Sequence, residues 1–143
     1  MSLEIIGAGD WMRLVREGKW EFVERTRGSN AVIIANMTTQ GTYLFVEQWR
    51  PTLKKNVIEW PAGLFGDEEG LETETILEGA KRELLEEVGL ESNNMSVVNI
   101  PFTSSPGLTS ECVYFALALD CTKISSGGGV DGENIKIHQL PLN

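Results

Sequence analysis

Three glutamates, Glu83, Glu86 and Glu87, fall within five consecutive residues. On a helix turning about 100° per residue they share one face, because offsets of three and four are neighbours. Like charges at that spacing destabilise a helix by about 0.2–0.5 kcal/mol per pair, so the cluster gains from a bound cation. Carboxylate oxygens are hard ligands suited to Mg2+ or Mn2+, which bind together with substrate phosphates and water. Such an ion can draw charge from a diphosphate and lower the pKa of an attacking water. Taken alone, the same three residues also fit a solvated acidic helix face.

The cluster belongs to a larger acidic block. The chain of 143 residues has a net charge of −9, and residues 67–91 carry −8 of it, ten carboxylates against Lys81 and Arg82. Duplex nucleic acid demands cationic groups, so it is excluded as a partner. Two cysteines, Cys112 and Cys121, and a single histidine, His138, give no basis for a zinc centre and read as reduced thiols. No apolar run approaches the roughly 18 residues of a membrane span, and the opening segment lacks the basic and apolar regions of a secretory leader. No membrane partner is expected, and the cytoplasm is the expected location. Gly7-Ala8-Gly9 is too short for a dinucleotide loop, and the glycines at 127–129 lack the Lys-Ser/Thr that completes a P-loop.

A helix over 76–88 must position the glutamates. Thr75 and Glu78 fit a capping box, Leu77, Ala80, Leu84 and Val88 form an apolar stripe, and Gly89 suits a left-handed C-terminal cap. Strands are expected at 19–26, 31–38, 42–49, 56–60, 96–102, 112–119 and 134–140. Gly28-Ser29-Asn30 turns the chain after the first, and Gln40-Gly41 makes 31–38 and 42–49 a hairpin. Pro61 and Gly63 end the 56–60 strand, and a Gly- and acid-rich loop fills 65–74. The strands of the first third are too closely spaced for helical crossovers. The expectation is therefore one α/β domain, 1–143, with a mixed sheet.

Residues 82–90, RELLEEVGL, resemble the core of the Nudix box: Gly, five residues, Glu, seven residues, then Arg-Glu-apolar-x-Glu-Glu-x-Gly-apolar. Arg82, Glu83, Leu84, Glu86, Glu87, Gly89 and Leu90 meet every specified position of that half, and Glu74 stands at the required distance before it. The first glycine departs from the pattern: its position holds Glu68, and Gly63 is the nearest candidate, implying five extra residues in the loop. FVEQWRP (45–51), IEWPAG (58–63) and SSPGLTSE (104–111), with WEFVER (20–25), are similar to the ADP-sugar pyrophosphatase branch, so the resemblance spans 20 to about 119.

The resemblance implies a Nudix-like α/β/α sandwich with a mixed β-sheet. It implies a Mg2+-dependent hydrolase, with Mn2+ as a substitute, that cleaves the diphosphate of a small nucleotide substrate, foremost ADP-ribose to AMP and ribose 5-phosphate. It also implies a homodimer. Carried over by position, Glu83 and Glu87 are principal metal ligands, Glu86 is a further ligand or orients water, and the Ala62 carbonyl is an extra ligand. Arg82 pairs with a neighbouring glutamate and holds the ligand geometry. Glu111 positions or deprotonates the attacking water, Arg50 contacts phosphates, and Trp20 and Trp49 stack an adenine unless they serve the core. A hydrolase of another sugar nucleotide or dinucleoside polyphosphate, and a non-catalytic nucleotide-binding regulator, stay open beside this reading.

Overall fold

Helix α1 (Ile76–Val88) forms where its caps dictate. The Thr75 hydroxyl accepts from the Glu78 N–H at 3.3 Å while the Glu78 carboxylate accepts from the Thr75 N–H at 2.8 Å. At the other end Gly89 adopts φ 65° and donates back into the last turn, the left-handed stop that a Cβ would penalise. Ala80, Leu84 and Val88 are fully buried, as the stripe requires, but Leu77 is 36% exposed and Gly79 takes its place on the buried face. A Cβ at Gly79 would overlap Phe65, so close approach decides that position.

The computed structural model describes residues 2–28, 30–67, 71–130 and 132–142. Ser29 of the expected turn, and Glu68 and Glu69 of the acidic loop, lie outside them. The strands are β1 (Leu3–Ala8), β2 (Met12–Glu17), β3 (Trp20–Arg25), β4 (Asn30–Thr38), β5 (Thr42–Arg50), β6 (Lys55–Glu59), β7 (Ala62–Leu64), β8 (Leu90–Glu91), β9 (Asn94–Phe102), β10 (Cys112–Lys123) and β11 (Lys136–Pro141). A mixed sheet runs β7-β4-β10-β8 with β9 also on β10; its one parallel ladder, β4 to β10, lies at the centre. A second sheet is β11-β5-β6, and a third is the meander β1-β2-β3. The buried face of α1 packs against Val32 and Ile34 of β4, Leu44 and Val46 of β5, and Ala116 and Ala118 of β10. This is the mixed-sheet α/β architecture the sequence implied, and α1 is the one helix among the described residues.

The expected hairpin of 31–38 and 42–49 does not form. β4 and β5 belong to different sheets, because the ladder that would join them is replaced by a side chain. Asn36, 1% exposed, donates its amide to the Leu44 carbonyl and accepts from the Leu44 N–H, both at 2.9 Å. The strands are held at their turn and diverge beyond it, opening the space that α1 fills. Four strands lay outside the sequence expectations: β1, β2, β7 and β8. Pro61 and Gly63 end β6 as expected, but the chain then crosses between sheets and β7 pairs with β4. β1 and β2 are nearly all exposed, so they lack the alternation that marks a half-buried strand. The meander is tied to the rest through β3, where the Val23 N–H donates to the Leu108 carbonyl and the Val23 carbonyl accepts from Ser110.

Replacing Asn36 with Ala leaves a buried N–H and a buried carbonyl of Leu44 without partners, at about 1–3 kcal/mol each. The variant is expected to lose about 2–4 kcal/mol in urea unfolding; a loss below about 1 kcal/mol would show that the amide does not carry the junction.

Candidate functional site

Glu87 projects from the last turn of α1 into the seam between the two sheets that the helix separates, and only 2% of it is exposed. Each carboxylate oxygen meets one neutral donor: the Gln48 amide of β5 at 3.2 Å and the Ala62 N–H of β7 at 2.9 Å. The crossing through Pro61 brings Ala62 there, and the alternation of β5 turns Gln48 inward beside Leu44 and Val46. Burial pushes the Glu87 carboxyl up to about 8; the Ala62 hydrogen bond opposes the shift, and the charges of Glu83 and Glu133 add to it.

Glu83 lies one turn earlier, beneath Gly63. A Cβ at Gly63 would overlap its carboxylate, which gives the shifted glycine of the box a physical reason: the β7 backbone comes too close for a side chain. Burial lifts Glu83 to about 7, against the pull of Arg82. Arg82 organises the outer part of the cluster. Its guanidinium holds Glu74 through Nε at 2.9 Å and Nη2 at 3.1 Å, Glu83 at 2.8 Å, Glu86 at 3.3 Å and the Leu64 carbonyl at 2.9 Å. Glu74, only 6% exposed in its side chain, also accepts from the Gly66 N–H. The loop insertion therefore leaves Glu74 in place as the anchor of Arg82.

The other expected residues make no described bond to this cluster, though the charge of Arg50 reaches Glu87 and draws its carboxyl down. Arg50 is ion-paired with Glu59 at 2.7 Å and half-exposed. Glu111 is gripped at 2.5 Å by Arg25 of β3 through both Nε and Nη2, and no described interaction joins it to the α1 carboxylates. Trp49 is 58% exposed on β5. Trp20, 60% exposed, opens β3 at the end opposite Arg25, about 17 Å along the strand at roughly 3.3 Å per residue.

Two contributors carried no signal in spacing. Glu133, between the glycine-rich loop and β11, raises both Glu83 and Glu87 electrostatically. The loop that brings it is the glycine run at 127–129. Gly128 and Gly129 donate to the Glu87 and Glu86 carbonyls at 2.9 and 3.0 Å, and all three glycines have positive φ. A Cβ on Gly127 would collide with the end of α1. The loop is a helix cap.

Among the described residues no three His, Cys, Asp or Glu side chains converge as a ready ligand set. The donor chemistry nevertheless fits a hard divalent cation. The donors are all oxygen, two of the carboxylates are lifted toward neutrality by burial, and the glycine at 63 leaves the backbone open beside Glu83.

A NUDIX domain profile matches residues 25–139. Similar proteins include one named methanol dehydrogenase activator from Bacillus methanolicus, 33% identical over 121 residues, 84% of this chain and 62% of that protein. Another is named ADP-ribose pyrophosphatase, from Bacillus subtilis (strain 168), 34% identical over 126 residues, 87% of this chain and 65% of that protein. The chain spans less than two thirds of the length of both. The crystal structure of a protein described as an ADP compounds hydrolase superposes with a TM-score of 0.76 at 17% identity, covering 99% of this chain and 76% of that one, a likeness of fold.

Glu83 and Glu87 hold protons more tightly folded than unfolded, where a glutamate titrates near 4.3. The stability they contribute is full below that pH and is lost as pH rises to about 8. Glu47 and Glu78 are shifted downward, by the His138 hydrogen bond and by the Thr75 N–H respectively, so their effects lie below about pH 4.5. In chelator, the unfolding midpoint is expected to fall between about pH 5 and pH 8, and Glu87→Gln, which cannot ionise, to flatten that fall. Parallel profiles for the two proteins would contradict a desolvated Glu87.

Proposed function

We propose, since this chain belongs to the NUDIX domain family, that it is a Mg2+-dependent pyrophosphatase of nucleoside diphosphate sugars, foremost of ADP-ribose, yielding AMP and ribose 5-phosphate. The observation that carries the reading is the placement of Glu83, Glu86 and Glu87 on one face of the box helix, with Glu87 buried between two neutral donors and Glu83 set beneath Gly63. The similar protein named ADP-ribose pyrophosphatase supports the substrate class. The whole chain, 1–143, acts as one unit in this reading, since β3 anchors the loop that presents Glu111.

Divalent ions bound here would neutralise charge on the diphosphate and lower the pKa of a water. Glu83 and Glu87 would hold them, with the Ala62 carbonyl and Glu86 as further oxygens and Mn2+ as an acceptable substitute. Gln48 and the Ala62 N–H fix the orientation of Glu87, and Arg82 fixes Glu83 and Glu86 against Glu74. Arg50 receives phosphate oxygens by exchanging its ion pair with Glu59, a substitution that suits a half-exposed guanidinium. Glu111, steadied by Arg25, accepts the proton of the attacking water. Trp49 contributes an exposed ring near Gln48, and Trp20 a second ring on the meander.

The similar protein named an activator favours one second reading, a nucleotide-binding regulator without turnover. Both free thiols agree with a cytoplasmic setting, where thiols stay reduced. Among the described residues no helix is long and apolar enough to cross a membrane.

A second copy of the chain is proposed as the partner of the meander. The accessible surface is 9150 Å2, about 1,800 Å2 more than the roughly 7,300 Å2 expected of a compact monomer of this mass, a surplus that exceeds the roughly 800 Å2 that each partner gives to a standard interface. Ile5, Trp11, Met12 and Trp20 are each more than half exposed on or beside that sheet.

With Mg2+ and ADP-ribose, Glu87→Gln is expected to lose at least about 100-fold in kcat, as removal of a metal-orienting group does, while circular dichroism stays native. Near-full activity would remove the metal-ligand assignment, and tight ADP-ribose binding without wild-type turnover would favour the regulator. Sedimentation velocity at micromolar concentration is expected to give a dimer, and deletion of residues 1–18 a monomer; a monomeric full chain would overturn the partner proposal.

A further inference from the structure

Strands β4, β7 and β9, and β10 as far as Leu119, contain no charged residue, although charged residues make up 23% of the chain. Strands of that composition suit a sheet buried on both faces. Helix α1 covers one face, packing against Val32, Ile34, Ala116 and Ala118. Alternation turns Ile33, Ala35, Phe115 and Leu117 to the other, and the ladder carries that face onto β9, where Val98 stands opposite Phe115. Phe102 packs edge-on against Phe115, their ring centres 5.1 Å apart, and Ile100 lies between Val98 and Phe102 along the strand. Val98, Ile100, Phe102, Phe115 and Leu117 are 37–67% exposed. Among the described residues β9 pairs with β10 alone, and apart from Pro101 it lacks the devices, charged side chains above all, that blunt an edge strand.

Such a face needs a counterpart that brings apolar side chains and no unpaired charge to its centre. The meander carries one. Glu4, Arg16 and Glu21 stand in one cross-strand row and pair with one another. Leu3, Ile5 and Trp20 lie on the opposite side of the three strands, around the buried Val15, and are 47–60% exposed. The charges that share that side are Glu17 at its rim and Arg13 with Glu24, which neutralise each other at 2.8 Å.

Both patches are exposed in one chain, so neither covers the other. A second copy related by a two-fold axis can bring each patch onto the other's counterpart, twice over. The surplus of about 1,800 Å2 over a compact monomer is about twice the roughly 800 Å2 that one partner gives to a standard interface, as expected when each copy both gives a meander and receives one. The carboxylates of α1 lie on the other side of the sheet, which lets two chains of net charge −9 meet through an uncharged surface.

We propose that the outer face of the mixed sheet is the seat of a second copy's meander, Ile5 and Trp20 of one chain covering Ile100, Phe115 and Leu117 of the other, reciprocally. The assignment rests on the second-copy partner proposed above for the meander and adds the surface on which it lands.

The test is the dimer dissociation constant from sedimentation velocity across a concentration series, with circular dichroism to confirm the fold. Ile100→Glu and Leu117→Glu each bury a carboxylate in the junction and are expected to weaken the dimer at least about 100-fold. Ile100→Ser, which adds no charge, is expected to weaken it about 10-fold. Leu53→Glu, at an equally apolar residue 58% exposed in the turn between β5 and β6, is expected to leave it unchanged, and deletion of residues 1–18 to abolish it. Wild-type dimers of the Ile100 and Leu117 variants overturn the landing surface and leave the meander's partner standing, as does a Leu53 variant that dissociates equally. A deletion variant that stays dimeric until Ile100→Glu is added would show the face meeting its own counterpart, which also overturns it. A monomeric full chain overturns both proposals.

Discussion

A carboxylate withdrawn from water loses several kcal/mol of solvation unless charge or hydrogen bonds replace it. Glu87 has two neutral donors, Gln48 and the Ala62 N–H, and no contact ion pair among the described residues; Arg50 acts on it only through its field. Its upward shift to about 8 expresses what those donors leave uncompensated. The same two contacts join α1 to one strand from each of the sheets it separates. The seam is thus fixed in position by an ion that the protein alone does not stabilise. A proton or a bound cation completes it, and the second choice turns a structural junction into a chemical centre.

Arg82 has the opposite situation. It faces Glu74, Glu83 and Glu86 and touches the Leu64 carbonyl, but does not reach Glu87. One cation among three carboxylates leaves a net negative charge on the exposed side of the cluster, which is where a metal and its diphosphate would approach. Much of the acidity between 67 and 91 then has local work to do. Glu74 anchors the arginine, Glu78 closes the capping box, and Glu83, Glu86 and Glu87 form the cluster. A charge density that would destabilise an ordinary surface helix is tolerated because much of it is paired or buried in a fixed arrangement.

The helix was legible because its signals are local: a Thr75–Glu78 box, a 3.6-residue stripe and a terminal glycine each follow from a few adjacent residues. The carboxylate face followed from the same period. What was illegible depends on distant segments. Nothing near Asn36 announces that its amide will replace a backbone ladder, so residues 31–49 read as a hairpin and fold into two sheets. Glu133 enters the electrostatics of the cluster through a loop 50 residues after Glu83, and no spacing rule connects them. Arg25 and Glu111 lie 86 positions apart, and no spacing rule announces that the arginine ending β3 grips that glutamate. The run at 127–129 serves α1 through its backbone, a role that its glycines alone did not announce.

That cap bears on why the last turn of α1 can carry the site at all. Anions are disfavoured near a helix C-terminus, where the carbonyls point outward and the macrodipole is negative. The last turn contains no basic residue, yet Glu86 and Glu87 lie in it. Compensation comes from outside the helix. Gly128 and Gly129 donate to the carbonyls of those two glutamates, and Lys123 Nζ donates to Val88 at 2.6 Å. These contacts satisfy the terminal carbonyls without touching the carboxylates, so the helix end is closed while its acidic side chains keep their demand for positive charge. A lysine or arginine within the last turn would have met the dipole more directly, but by pairing with Glu87 it would have supplied the positive charge that a divalent ion would bring. The glycine-rich loop stabilises the helix by a route that leaves the cluster available, and it is the geometric reason that three consecutive positive-φ residues are required there.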